Sequence, residues 1–373
     1  MPYASVYFQA RGIDLALIGI LGALPFAVAI VGAPIWGLIA DRLGDVRPPM
    51  FVAAMWAAAS AAWLMTGPPM PWLAVGVVAL AAGTSALTPL LDARTVQRLG
   101  AQRERYGQAR MWGSVAFIVA SVGVGVIVQA NGPAAMLVVY TALLAGSGIA
   151  AAALLGRGRR PPRASGIGPL AALRLLRQPA FGLFFVGSVV VWIAATGVMA
   201  FFSLRLVELG GDARLVGLAW GVNALAEVPV MFAFRRIARR VRVERLLVAG
   251  ALVFAGRAAL WSLTGNAAGL VIVAGLGGPG FALYLVGTIA YVSVRAPAHL
   301  QATAQALFSG VAFALGNIIG AVLAGMVAER FGLAAVFPAA AVASLAGAAL
   351  IAVAVLGHRA LVGQETDGVP TRV

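Results

Sequence analysis

The chain has 373 residues, of which 62% are hydrophobic and only 10% are charged, and its mean hydropathy is +0.96. Soluble globular proteins carry about 25% charged residues, so this composition indicates an integral membrane protein and excludes a soluble enzyme. The absence of cysteine excludes disulfides and thiolate metal sites, and His299 and His358 are too few for a histidine metal centre. No metal site is therefore predicted.

The formal net charge of +15 comes from 27 basic residues, all of them arginine. They are divided among short loops, which argues against nucleic-acid binding, because that function needs one continuous basic patch. When successive loops are assigned to alternate sides of a membrane, 21 arginines fall on one side and four on the other. The positive-inside rule produces this asymmetry. It predicts a multi-pass protein of the inner membrane with both natural termini in the cytoplasm.

Eleven apolar runs are long enough to cross a hydrocarbon core about 30 Å thick as helices. They fall at 15–40, 49–66, 72–91, 108–129, 134–155, 180–204, 213–234, 244–263, 268–293, 302–326 and 333–357. Residues 1–10 are too short to span and are interpreted as the last turns of a further helix.

An internal repeat relates the two halves of the chain. Residues 1–63 superpose without a gap on residues 199–261, an offset of 198 that places Trp63 on Trp261. Two parallel copies of a six-helix unit are a known plan of secondary transporters. In this alignment about nineteen residues of the first helix lack a counterpart, so we expect that the first helix is truncated here and that the natural protein begins upstream.

The repeat and the charge pattern divide the chain into four regions. These are an N-terminal bundle at 1–155, a basic cytoplasmic linker at 156–178, a C-terminal six-helix bundle at 179–358 and a cytoplasmic tail at 359–373. Within the linker, residues 170–177 predict a short amphipathic helix on the membrane surface.

Two charges occur in the second copy where the first copy has alanine. Glu227 aligns with Ala29, and Arg257 aligns with Ala59. Charges inside membrane spans are costly and usually face an aqueous cavity or one another. Glu227 and Arg257 are each fifteen residues from position 242 in the intervening loop, so we expect them to lie at one depth and to face each other.

Asp92 and Arg110 form a second such pair, each nine residues from position 101, provided that both helices extend beyond the apolar limits. Two interpretations stay open for each pair. The first is a structural ion pair that locks a hairpin. In the second, the carboxylate exchanges protons near neutral pH in a low-dielectric site, while the guanidinium binds an anionic or hydroxyl-rich substrate. The second interpretation makes Glu227 and Asp92 candidates for proton coupling, and Arg110 and Arg257 candidates for substrate binding.

Three further side chains within the spans are candidates for lining a substrate cavity, namely Asn223, Tyr284 and Trp192. Helix packing is the more frequent role of such groups in membranes.

A short motif closes the first complete span and reads Gly37-Leu-Ile-Ala-Asp41-Arg42-Leu-Gly44. Gly44 is suited to end the helix in the left-handed conformation, and Asp41 is placed to meet cationic groups or the N-terminus of a neighbouring helix. Gly37, Asp41, Arg42 and Gly44 are therefore candidate conformational-gating residues. The alternative is a solvated charged turn.

The motif GLIADRLG, the two-fold six-helix repeat and the basic central loop resemble the major facilitator superfamily. The segment YGQARMWGSVAF, with Asp92 eighteen residues before Arg110, is similar to the lactose permease (oligosaccharide–proton symporter) branch and to the related phenylpropionate-permease-like branch. Ala226-Glu227-Val-Pro229 and APAHLQATAQALFSGVAFALG fit the latter branch better.

The resemblance implies the superfamily fold, a substrate site near the midplane and alternating access. It also implies that Asp92 and Arg110 hold the substrate, and that Glu227 and Arg257 match the helix 8 carboxylate and the helix 9 arginine of the lactose branch. That branch's histidine–glutamate proton site is missing, because Gly277-Gly278-Pro279-Gly280 stands where both branches often carry histidine. This leaves Glu227 as the main candidate for coupling.

The sequence therefore predicts an all-α membrane protein that moves a small organic solute (an organic or aromatic acid, a sugar or a nucleoside) by proton-coupled symport. The expected partners are this solute and the lipid bilayer, with no cofactor besides the proton gradient, and the chain is expected to be a monomer. Three alternatives remain: an exporter of drugs or metabolites with the same fold, a transport-dead sensor and an integral membrane enzyme. The last lacks a catalytic constellation at either surface.

Overall fold

The computed structural model describes residues 2–100, 106–156, 176–296 and 301–357. Its helices are α1 (Ala4–Ala10), α2 (Leu15–Leu43), α3 (Arg47–Met65), α4 (Trp72–Leu99), α5 (Tyr106–Asn131), α6 (Ala135–Leu154), α7 (Pro179–Glu208), α8 (Ala213–Ala238), α9 (Val243–Leu263), α10 (Ala267–Ala274), α11 (Gly277–Arg295), α12 (Gln301–Gln305), α13 (Phe313–Phe331) and α14 (Leu333–Ala352). Two π-helical segments, Ala306–Ala312 and Val353–Gly357, precede α13 and follow α14.

In this part of the chain, eleven spans are long and apolar enough to cross a membrane, as predicted. The predicted amphipathic helix of the linker falls largely on residues outside the described ranges.

Local sequence explains where several helices begin and end. α2 stops at Leu43 because Gly44 takes a left-handed φ of 66°, as predicted. Two prolines follow Arg47 in the first turn of α3, where the missing backbone N–H breaks no helical hydrogen bond. Asn266 caps α10, since its Oδ1 accepts a hydrogen bond from the backbone N–H of Gly269 at 2.8 Å.

The described residues form two compact units. The first comprises the described part of 1–165 with Phe202–Gly221, and the second the described part of 166–201 with 222–373. Residues 202–221 thus belong to the second copy in sequence and to the first unit in packing. The predicted boundaries at 155, 178 and 358 concern the sequence repeat and stay a prediction.

The same packing scheme occurs in each unit. In the first unit α3 packs against α4 and α6, and in the second unit α9 packs against α11 and α14. The offset of 198 maps α3 onto α9, so equivalent helices of the two copies make equivalent contacts.

Small residues bring the helix backbones close together. A Cβ on Gly250 of α9 would lie 2.7 Å from the backbone nitrogen of Tyr284 on α11, and a Cβ on Gly83 of α4 would lie 2.6 Å from the carbonyl oxygen of Ala53 on α3. Interfaces of this kind are typical of membrane helices, where close van der Waals contact drives association.

The short helix α1 is anchored by hydrogen bonds of the residues that precede it. Tyr3 is only 2% exposed, and its hydroxyl donates to the carbonyl oxygen of Ser121 at 2.8 Å and lies 3.2 Å from that of Ala213. The hydroxyl of Ser203 donates to the carbonyl oxygen of Pro2 at 2.6 Å. These contacts hold residues 2–10 against α5, α7 and the start of α8.

Candidate functional site

The span predicted at 268–293 is a broken helix. α10 ends at Ala274, Gly275 and Leu276 form a turn, and α11 begins at Gly277. Backbone N–H groups in the first turn of a helix have no intrahelical acceptor, and Pro279 fits there because it lacks an N–H. Gly275 and Leu276 keep right-handed helical φ and ψ angles, so α10 and α11 together still form one membrane-length span. The break was not predicted from the sequence.

The guanidinium of Arg257, on α9, lies against the start of α11. A Cβ built on Gly277 would overlap with Nη1 of this arginine and with Oδ1 of Asn223 on α8. Nη1 donates a long hydrogen bond of 3.4 Å to Oδ1 of Asn223, while the buried Nε has no hydrogen-bond partner among the described residues. The side chain is buried, with 3% of its surface exposed.

Two aromatic rings hold this guanidinium in place. Its Cζ lies 4.7 Å from the ring centroid of Trp261 and 5.3 Å from that of Phe254. Trp261 is itself fixed, because its Nε1–H donates to the carbonyl oxygen of Leu270 on α10 at 3.0 Å. Cation–π contact stabilises the charge, but the rings supply no acceptor for its N–H groups.

The site therefore has an excess of positive charge. No ion pair between described residues involves Arg257. The N-terminus of α11 lies at the same place, but the C-terminus of α10 ends only two residues before it, so the partial charges of the two helix ends offset each other and the excess is that of Arg257. A buried charge is costly unless a counter-charge or a polar ligand meets it, so this arrangement is suited to an anionic or strongly polar group.

Glu227 belongs to the same neighbourhood through its backbone. A Cβ on Gly278 would overlap with the backbone nitrogen of Glu227 and would lie 2.5 Å from the carbonyl oxygen of Asn223. α8 and α11 are thus in direct backbone contact at this level. Asn223 and Glu227 are four residues apart and share a face of α8, and Glu227 is half-buried.

Arg257 contacts Asn223 at this level, and the ion pairs between described residues do not include one of Arg257 with Glu227, so the expected face-to-face pair stays a prediction. The turn between α8 and α9 covers residues 239–242, so its centre lies about 1.5 residues before position 242. Measured from this turn centre, the residue of α8 at the same distance as Arg257 is at about position 224, next to Asn223.

α4 and α5 extend past the apolar limits, as the second predicted pair requires, and Asp92 is half-buried within α4. The side chain of Arg110 lies outside the described part of the structure, so its pairing with Asp92 stays a prediction. Close by, Arg94 is 9% exposed and donates to the carbonyl oxygen of Gly156 at 2.5 Å.

Tyr284 and Trp192 are packed into an aromatic core. Tyr284 is fully buried and Trp192 is 6% exposed, with their ring centroids 5.5 Å apart. Phe254, Phe281 and Phe313 surround Trp192 at 4.7 to 6.2 Å. Both rings pack in this structure, and their predicted contact with a substrate stays a prediction.

The candidate gating motif lines a cleft at the end of α2. Gly37, Asp41 and Gly44 form one side of this cavity of about 150 Å³, and residues of α4, including Pro89 and Gln97, form another. Arg42 is exposed in the last turn of α2.

The turn after this motif carries a local ion pair. Oδ2 of Asp45 lies 2.7 Å from Nη2 of Arg47, and this hydrogen bond holds the pKa of the Asp45 carboxyl below its usual range.

Within the described ranges, eleven membrane-length helices and two units with equivalent helix contacts are consistent with a membrane transporter of the major facilitator fold. The chain belongs to the MFS_1 like family, whose model matches residues 1–339. Its membership confirms the resemblance noted in the sequence.

Two curated relatives are named for transport. The chain is 29% identical over 342 residues to a maltose permease of Geobacillus stearothermophilus, covering 90% of this chain and 85% of the relative. It is 26% identical over 353 residues to a probable 3-phenylpropionic acid transporter of Escherichia coli (strain K12), covering 89% and 87%. These relatives are transporters and not enzymes.

Solved structures show the same fold. The nucleoside transporter NupG superposes with a TM-score of 0.83 over 94% of this chain and 93% of its own, at 16% identity. A bacterial homologue of the lysosomal transporter Spinster superposes with a TM-score of 0.71 over 95% and 91%, at 15% identity.

Proposed function

We propose that the protein is a secondary active transporter that couples the movement of a small organic solute to proton symport by alternating access. The observation that carries this proposal is the contact of α8, α9 and α11 at one level. There a buried cation, Arg257, and an amide, Asn223, meet the start of α11, and Glu227 follows one helical turn away. A titratable carboxylate beside a candidate substrate contact is the arrangement that coupling requires.

In this mechanism Glu227 binds the proton, with Asp92 as a second carboxylate. An ionised carboxylate is costly in a low-dielectric site, and protonation removes its charge. The protonated, substrate-loaded carrier therefore reorients more readily than the singly loaded form. Arg257, Asn223 and Arg110 contact the substrate.

The cleft beside the first complete span supports a gating role for Gly37, Asp41, Arg42 and Gly44. Asp41 lies near the end of α2 and lines this cleft opposite Leu90 and Gln97 of α4. If Asp41 makes a contact in only one of two conformations, that contact favours this conformation by its own free energy.

The transporter is proposed to lie in the inner membrane with both natural termini in the cytoplasm, as the arginine distribution favours. One chain contains all the proposed site residues, so a monomer suffices. The mechanism uses the proton gradient and no cofactor.

The test is proton uptake by proteoliposomes that contain a pH-sensitive dye. Aromatic acids, sugars and nucleosides are added in turn, and we expect one class to trigger proton entry. Glu227→Gln should abolish substrate-dependent proton entry while exchange of labelled substrate continues. Glu208→Gln is the matched control, because Glu208 pairs with Arg205 at the exposed end of α7. Full proton entry in Glu227→Gln would refute the assignment.

A further inference from the structure

We infer that the transported solute carries a carboxylate, and that this carboxylate binds to the guanidinium of Arg257 at the N-terminus of α11. The inference rests on the proposed transport function and specifies its substrate class.

The first argument is the local charge. Arg257 is 3% exposed and forms no ion pair with another described residue. An anion that enters the site would supply the missing counter-charge. The hydroxyl groups of a neutral sugar would accept hydrogen bonds but would leave the charge uncompensated.

The second argument is the unfilled hydrogen-bonding capacity of Arg257. No described residue supplies an acceptor to its buried Nε, and its contact with Oδ1 of Asn223 is long, at 3.4 Å. A guanidinium binds a carboxylate through two parallel N–H groups, which lysine cannot reproduce. Trp261 and Phe254 hold the group by ring contacts and do not occupy its N–H donors.

The third argument is the space that glycine leaves. A side chain at position 277 would overlap with Nη1 of Arg257, whereas glycine allows the guanidinium to reach the first turn of α11. There the backbone N–H groups of Gly277 and Gly278, which precede Pro279, can share the same anion. Gly277 is thus a specificity-determining position of the site.

The test compares binding of acids with binding of their neutral amides to the purified protein in detergent, without any gradient. Calorimetry is run with acetate, benzoate and 3-phenylpropionate, each beside its amide, and with maltose. We expect at least one acid to bind about tenfold or more tightly than its amide. A panel in which no acid is preferred over its amide overturns the inference, whether or not maltose binds.

Variants connect this preference to Arg257. In Arg257→Gln the preference for the acid should fall below about twofold, and Arg257→Lys should retain part of it, because charge remains while paired donation is lost. Gly256→Ala is the control, since a Cβ there meets no atom within 4 Å. An unchanged preference in Arg257→Gln overturns the inference.

If Arg257→Gln does not fold, Gly277→Ala serves in its place. The added methyl group displaces the guanidinium from α11, and the affinity for the acid should fall about tenfold. Equal affinity in this variant would contradict the proposed geometry.

Exchange of labelled ligand in proteoliposomes separates this inference from the proposed function. If an acid binds tightly but is not exchanged across the membrane, the transport function is refuted and the anion site is supported. Exchange of maltose without binding of any acid supports transport and overturns the anion site.

Discussion

Arg257 and Gly277 lie so close that a methyl group on the glycine would overlap with Nη1 of the arginine. The next residue, Gly278, has a different neighbour, because a methyl group there would overlap with the backbone of α8 at Glu227. A side chain can shift by rotating about its bonds, whereas a helix backbone moves only as a whole. The two glycines should therefore respond differently to substitution.

Gly278→Ala should destabilise the fold. Relief of the overlap requires α11 to move away from α8, and overpacking of this kind costs about 1–3 kcal/mol. Thermal unfolding in detergent measures the effect. Gly256→Ala should be neutral or up to about 1 kcal/mol more stable, because alanine is the better helix former and the site is open. Equal melting temperatures of the two variants would show that α8 and α11 are not in direct contact.

Gly277→Ala should affect transport more than stability. The guanidinium of Arg257 can shift to accommodate the methyl group, so the melting temperature should change less than in Gly278→Ala. Initial uptake of the substrate should fall about tenfold at subsaturating concentration, because the displaced cation no longer meets the start of α11. If a correctly folded Gly277→Ala variant takes up substrate at the wild-type rate, Arg257 is not part of the substrate site.

The sequence predicts the number of spans, because the apolar character of each residue does not depend on its neighbours. It also predicts the repeat and the charges within the spans, because these follow from comparing residues at a fixed offset. A run of about twenty apolar residues spans a membrane whatever its neighbours are. Gly44 likewise ends α2 through its own backbone freedom.

The contacts of Arg257 could not be predicted with the same accuracy. A shift of about 1.5 residues in the centre of the turn between α8 and α9 changes the opposite residue from Glu227 to one beside Asn223. The break before Gly277 lies in a continuous apolar run without helical periodicity, and Pro279, in the first turn of α11, was the signal that could have located it. The aromatic residues Trp192 and Tyr284 gave no such signal, since a packed ring and a cavity-lining ring look alike in sequence.

Trp261→Phe should loosen the support of Arg257. The substitution keeps a ring beside the guanidinium but removes the hydrogen bond from Nε1 to the carbonyl oxygen of Leu270. We expect a loss of about 1 kcal/mol in unfolding free energy and weaker substrate binding, because the phenyl ring gives less cation–π stabilisation. Chemical or thermal unfolding and calorimetric binding measure the two effects. Trp112→Phe, at an indole that is 70% exposed, should change neither.

Tyr3→Phe tests the anchoring of residues 2–10. The phenylalanine ring fills the same space, but the hydroxyl that donates to the carbonyl oxygen of Ser121, and approaches that of Ala213, is lost. Both carbonyls lie within helices and keep their helical donors, so the variant loses one net hydrogen bond, about 1 kcal/mol, and the melting temperature should fall. Tyr140→Phe is the control, because the hydroxyl of Tyr140 makes no hydrogen bond with another described residue and its ring is half-buried. If Tyr3→Phe melts no earlier than Tyr140→Phe, the hydrogen bonds of Tyr3 do not hold the N-terminal segment against α5 and α8.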